Sequence, residues 1–455
     1  MKLTLVTLTV VGSLLTGGLW WNHARGCGGY GGPEMIEMLR ANGPSGLDRL
    51  LAEYDQLSLL CQAHPEAEGQ GLASTIAEQE ALIDGVSGQR YGHLSRLFWY
   101  TDLAQAQEQS QLTGKPILSL RLLGNLDEEL TCANSRFFRV MLYPHPEISK
   151  LLREKFIVHW ESVRPVPVFT VDFGDGRQMT RTITGNSIHY VLDAQGRPID
   201  GLPGVHSPQA FLAWLMQMEQ LADELRKQPE QRAELLTTYH RDRLAQLDAE
   251  CKKVMDCSYG ELAGFNMVRP LTSVRHEGDK PAEAAMRLAV PKSAIEVKAM
   301  RHLMMVNDPK RTEPYDVWTP IADKLTIDLA PITETLIHDQ HAPALVNVER
   351  SEQVEQQLLA RFKRNVALDT VRNQQELHRQ LHQWFVEGSV PDKVFDLNEQ
   401  MYASVFLTPR SDAWLGLYDA DVYTALDGAG IVVTGPDGSE EPTAQPDAVT
   451  VTQTH

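Results

Sequence analysis

At 455 residues the chain is long enough for two or three domains with cores of their own. An apolar fraction of 42% and a mean hydropathy of −0.28 describe a soluble, globular chain over most of its length. The formal net charge of −18 argues against nucleic acid or an anionic membrane surface as the main partner, because both need a positive footprint.

Residues 1–21 come first. After Met1-Lys2 residues 3–21 form a mainly apolar run without a charged residue, which reads as an export signal. As a helix it would span about 28 Å at roughly 1.5 Å per residue, enough to cross a bilayer. Two outcomes are open: cleavage after Gly18, or retention as an anchor with Trp20 and Trp21 at the membrane interface. Either one puts the rest of the chain outside the cytoplasm, in the periplasm or cell envelope or secreted, with membrane contact through this segment only. Arg25 lies just before Cys27 and makes that cysteine a poor lipidation site. Residues 22–90 then read as a Gly-rich linker and a small helical cap. The helical pattern runs from Pro33 to about Ile83, punctuated by Gly43-Pro44 and His64-Pro65.

The chain is organised around residues 91–220. Within them, residues 116–123 read as a buried strand, a polar loop comes next, Cys132 opens a helix that breaks at Pro144 and Pro146, and residues 156–163 form a second buried strand. This is a βαβ unit with a thiol at its strand-to-helix junction. That position faces unpaired N–H groups and the positive end of the helix dipole, which favours thiol nucleophilicity. Alternating residues 168–173, the turn Gly174-Asp175-Gly176 and the returning residues 179–183 predict a hairpin. Asp172 and Asp175 lack a fuller oxygen set for calcium and read as a solvated turn.

Together with the upstream WYTDLAQAQEQSQLTGKP, this unit resembles the thioredoxin-like family: a Trp, an Ala-rich helix, a Lys-Pro and the first central strand. The resemblance covers residues 97–215, about a quarter of the chain, and implies an α/β thioredoxin-like domain, a central mixed sheet with flanking helices. Where the family carries Cys-x-x-Cys, this chain reads Cys132-Ala133-Asn134-Ser135, so a serine stands at the resolving position. The resemblance matches GNSIHYVLDAQGRPIDGLPG to the loop and strand that face the cysteines, with Ser187 in place of the cis-proline, Asn186 beside it as a substrate-binding position, and Asp193 and Gly196 in the following turn. The hairpin of residues 168–183 departs from the family, which has a helix there.

Residues 208–254 are strongly helical and divided by Pro229; residues 221–259 read as a linker helix with a solvated charged face. Residues 260–435 carry apolar-periodic runs separated by Pro, Gly and polar breaks, and predict a mainly α-helical domain. Residues 436–455, rich in Glu, Pro, Thr and Gln, predict a disordered tail.

The five cysteines are Cys27, Cys61, Cys132, Cys251 and Cys257, an odd count that leaves at least one thiol unpaired in an exported chain. Pairing Cys27 with Cys61 and Cys251 with Cys257 leaves Cys132 free, provided that the helix ends near Val254. A thioredoxin-type exchange needs a second thiol to resolve the mixed disulfide. With Ser135 in that place, Cys132 could form a mixed disulfide with protein thiols or with glutathione, Arg136 helping to hold the charge. The competing reading is a fold kept as a scaffold, with Cys132 as a small buried helix-capping residue and the helical domain as the partner surface. His189, two residues past Ser187, raises a third possibility, a Cys/His pair.

His378 and His382 sit at i and i+4 on one helical face, a metal-ligand spacing. Spacing identifies no third ligand, so the pair reads as partly buried histidines bonded to neighbours, and no metal or cofactor is assigned. No CxxCH, HExxH, GxSxG or phosphate-binding Gly-rich loop occurs. The two functional expectations are single-cysteine thiol–disulfide exchange at Cys132 and a non-catalytic interaction protein of the cell envelope.

Overall fold

A computed structural model describes residues 32–63, 72–183, 186–258, 318–345, 351–413, 433–434 and 440–441. The apolar segment of residues 1–21, Cys27 with its expected pairing to Cys61, residues 259–317 and the tail of residues 442–455 lie outside the described residues. Among the described residues no helix is long and apolar enough to cross a membrane.

Three helices open the chain: α1 (Pro33–Arg40), α2 (Pro44–Ala63) and α3 (Leu72–Ser87). α2 starts at the Gly43-Pro44 punctuation, with proline at the first helical position, where no donor is lost. Arg40 donates to the carbonyl of Val86 (2.8 Å) inside this cap and to that of Trp99 (2.7 Å), which fastens the cap to the α/β domain. Helix α4 (Leu103–Thr113) starts where the Asp102 carboxylate accepts from the N–H groups of Ala104 and Gln105, and stops at Gly114 in the left-handed region with φ 73°.

Strand β1 (Ile117–Leu123) is buried along its whole length, Ser119 and Arg121 included, as befits a mainly apolar central strand covered on both faces. The chain then enters α5 (Ala133–Phe137), continues through a π-helical turn (Phe138–Leu142), and after the two prolines forms α6 (Pro146–Lys155) and β2 (Ile157–Arg164). β2 pairs parallel with β1, from Ile117 opposite Ile157 onward, so this is a βαβ unit. The hairpin β3 (Val168–Asp172) and β4 (Gln178–Thr182) stands as a separate two-stranded sheet. Asp172 accepts from the Gly174 N–H and Asp175 from the Arg177 N–H, so both carboxylates serve their own turn.

Strands β5 (Ile188–Leu192) and β6 (Pro198–Pro203) form an antiparallel hairpin whose turn is held by Asp193, which accepts from the N–H groups of Gln195 and Arg197, and by Gly196 at φ 78°. β5 pairs antiparallel with β1, giving a mixed four-stranded sheet in the order β2-β1-β5-β6. Ser207 then caps α7 (Pro208–Lys227), with Pro208 at the first helical position.

Helix α8 (Arg232–Ser258) begins beyond Pro229 and runs without interruption past Cys251. The expected Cys251–Cys257 bridge is therefore corrected: the helix does not end near Val254, residues six apart on it point to different sides, and Cys251 is a free thiol. α8, read from sequence as a linker, packs along a later helix and buries Leu236, His240 and Leu247.

Beyond it come α9 (Pro331–Leu345), α10 (Ser351–Arg372), a π-helical turn (Asn373–His378), α11 (Arg379–Glu387) and α12 (Val394–Ser404). The π-helical turn and α11 lie on β6, the outer strand of the sheet, and cover an edge that would otherwise expose unpaired backbone groups. Leu381, Trp384 and Phe385 of α11 are buried there, each contributing about 1.5–3 kcal/mol of apolar burial. One hydrophobic core runs from the first helices through the sheet into α12. Past α12, Arg164 of β2 donates to the carbonyls of Thr408 and Asp412, and Arg410 donates to Val163.

Candidate functional site

Cys132 occupies the N-cap position of α5, with φ −58° and ψ 149°, but its side chain makes no capping bond to the helix backbone. Instead Sγ lies 3.2 Å from the Ser135 hydroxyl, which donates to the Cys132 carbonyl at 2.8 Å. Thr131 completes the knot, 2.9 Å from Ser135 and donating to the Leu123 carbonyl. Cys132 and Ser135 are both 0% exposed. The Arg136 guanidinium donates to Thr182 of β4 at 3.0 Å.

Asn186 and Ser187 are also buried, and no cis peptide bond occurs among the described residues. The Asn186 carbonyl accepts a 2.6 Å bond from the Tyr402 hydroxyl, so α12 closes over this loop. Tyr402 and Tyr143 are both buried within electrostatic range of Cys132, and burial first, then that neighbour, push both phenols up. His189 bonds Tyr143 through Nε2 at 2.8 Å and packs between Phe138 and Phe211. The thiol's hydrogen-bond partner is Ser135 and the imidazole's is Tyr143, so no thiol–imidazole pair forms.

A second cluster lies where β6 meets α8 and α11. Asp200, 0% exposed, accepts at Oδ1 from the Gly201 N–H (2.8 Å) and at Oδ2 from the Trp214 indole N–H (3.0 Å) and the Tyr239 hydroxyl (3.4 Å). His378 Nε2 stands 3.0 Å from Oδ1 and 3.1 Å from Oδ2. His382 Nδ1 lies 4.0 Å from Oδ1 and 2.7 Å from His240 Nδ1, and the far nitrogen of His240 donates to the Ile199 carbonyl at 3.1 Å. One ligand-type atom from each of Asp200, His378 and His382 falls within 4.8 Å of the others.

Burial alone would raise the Asp200 carboxyl; the bond and charge of His378, with His382 and His240 beside it, outweigh that and hold it well below the usual carboxylate range. Burial pushes His240 down to about 4, and burial with His378 pushes His382 down as well, so both rings are neutral at pH 7. The helical pair His378 and His382 was legible as half a site. Its partners were not, because Asp200 precedes His378 by 178 positions and His240 precedes His382 by 142.

Comparison with protein-family models, with curated proteins and with solved structures finds no match to this chain.

Proposed function

We propose that this chain is a non-catalytic interaction protein of the cell envelope, built on a thioredoxin-like domain whose thiol end is sealed by its own C-terminal helices. The order β2-β1-β5-β6, with a βαβ half followed by a ββα half, agrees with the fold that the sequence resemblance implies. The observation that carries the functional reading is the burial of Cys132 beneath a loop that Tyr402 ties down. Thiol–disulfide exchange requires in-line approach of a partner sulfur to an accessible thiolate. Here Cys132 is 0% exposed and its Sγ lies 3.2 Å from Ser135 Oγ.

The test is peptide-resolved alkylation of the folded chain, with Cys132→Ser as the blank. Cys251, half-buried on α8, serves as the internal reference. The scaffold reading expects Cys251 to be labelled in the folded state and Cys132 only after denaturation. Labelling of Cys132 at a rate comparable with Cys251 would reverse it in favour of exchange chemistry with protein thiols or disulfides.

A further inference from the structure

We propose that Asp200, His240, His378 and His382 form a structural zinc(II) site that fastens the outer strand of the sheet to helices α8 and α11. The donor set is one carboxylate oxygen and three imidazole nitrogens, the hard-to-borderline mixture that zinc accepts in tetrahedral geometry. A tetrahedral ion with bonds of about 2.0–2.2 Å needs its ligand atoms roughly 3.3–3.5 Å apart. The ligand atoms of Asp200, His378 and His382 lie within 4.8 Å of one another, and the separations of 3.0 Å (His378 to Asp200) and 4.0 Å (His382 to Asp200) bracket that value. His240 stands outside that set of three, its Nδ1 2.7 Å from His382 Nδ1, and joins it as fourth ligand by turning its ring toward the ion.

The supporting groups are those of a metal centre. His240 donates its far N–H to the Ile199 carbonyl, which directs the Nδ1 lone pair inward. Asp200 is oriented by three further donors, Gly201 N–H, Trp214 Nε1–H and Tyr239 O–H. Backbone carbonyls behind ligating imidazoles and donors behind ligating carboxylates are the usual outer arrangement of such sites.

Protons alone serve this cluster poorly. His382 can offer a single proton, to His240 Nδ1, which leaves its own Nε2 buried without a partner, while Gly201 and His378 already serve Asp200 Oδ1. A divalent cation satisfies every inward lone pair and neutralises the buried carboxylate. Four protein ligands leave no open position for water, which makes the site structural. The π-helical turn that ends at His378 lies against β6, and such turns recur at functional sites.

The experiment measures zinc by mass spectrometry in the full chain purified without chelator, then refolds chelator-stripped chain with and without zinc. About one ion per chain is expected, with a melting temperature several degrees higher when zinc is present during folding. His382→Ala and His240→Ala should each lose the ion; His338→Ala, at an exposed histidine paired with Glu355, should keep it. Trp214→Phe retains all four ligands and removes one bond to the carboxylate, so zinc affinity should fall about 10- to 100-fold in a chain with unchanged circular dichroism. Cobalt(II) refolded into the wild type should give the visible absorption of a tetrahedral site, a readout that needs no variant to fold. Wild-type chain that retains no zinc and melts identically with and without it, or His382→Ala that keeps a full equivalent, would overturn the proposal.

Discussion

Acidification from pH 7.5 to pH 5 should remove a large share of this protein's folding stability, and three histidines away from the Asp200 cluster set the amount. His159, His189 and His206 are at most 1% exposed. Burial above all, with Arg121 beside His159, His206 beside His189 and His378 near His206, pushes each down to about 3. In the unfolded chain each returns to about 6.5. Between those values the unfolded state binds more protons, so stability is complete above pH 6.5 and is lost as pH falls toward 3. At pH 5 the loss is governed by proton uptake in the unfolded chain and is insensitive to the native value; it amounts to about 2 kcal/mol per histidine and about 6 kcal/mol for the three.

Asp84 opposes this. Burial pushes it up to about 6 despite the hydrogen bond it accepts from Gly92, so the native state takes up a proton as pH falls and regains about 1 kcal/mol. The net loss from these four groups is about 4–5 kcal/mol, and the buried neutral His240 and His382 add to it in the same direction, against typical domain stabilities of about 5–15 kcal/mol. Urea unfolding at pH 7.5, 6 and 5 reads it directly, and His206→Gln should reduce the pH dependence by about 2 kcal/mol. Unfolding free energies at pH 7.5 and 5 that agree within about 1 kcal/mol would refute the argument that these rings are buried neutral.

Three further outcomes rest on named contacts. Tyr402→Phe removes the donor to the Asn186 carbonyl; it should cost about 1–3 kcal/mol by urea unfolding and speed alkylation of Cys132, and an unchanged labelling rate would disconnect that bond from closure. Gly201→Ala places a Cβ 2.8 Å from the Tyr190 ring and 3.0 Å from Leu381, both of them packed side chains; a destabilisation of about 1–3 kcal/mol is expected, and a neutral result would show a looser seam between β6 and α11. Leu381→Ala, at a residue 0% exposed, should cost about 2–5 kcal/mol through lost burial and the cavity left behind, measured as a fall in the urea midpoint.

Local chemistry along the chain carried most of the element pattern. The mainly apolar residues 117–123 call for cover on both faces, Asp102 and Ser207 cap helices through their own side-chain oxygens, and the Asp193 to Gly196 turn needs both an acceptor and a residue tolerant of positive φ. Pro44, Pro146 and Pro229 end or start elements because they lack a donor. Each of these effects acts within a few residues, which is why it can be read without the fold.

Only the tertiary structure decided which groups meet. Cys132 stands at the strand-to-helix junction that its neighbours predict, but its reactivity depends on cover from Tyr402 of α12, 270 positions later in the chain. The continuation of α8 past Cys251 and its packing against α11 decided the fate of the expected bridge. His378 and His382 announced themselves by helical spacing, whereas no sequence pattern singled out Asp200 or His240. Sheet order and helix packing bring them together, and burial then alters their charges. The physical reason is range: capping, turns and periodicity are local and written in adjacent residues, while desolvation and convergent coordination depend on contacts between segments far apart in the chain, which no spacing records.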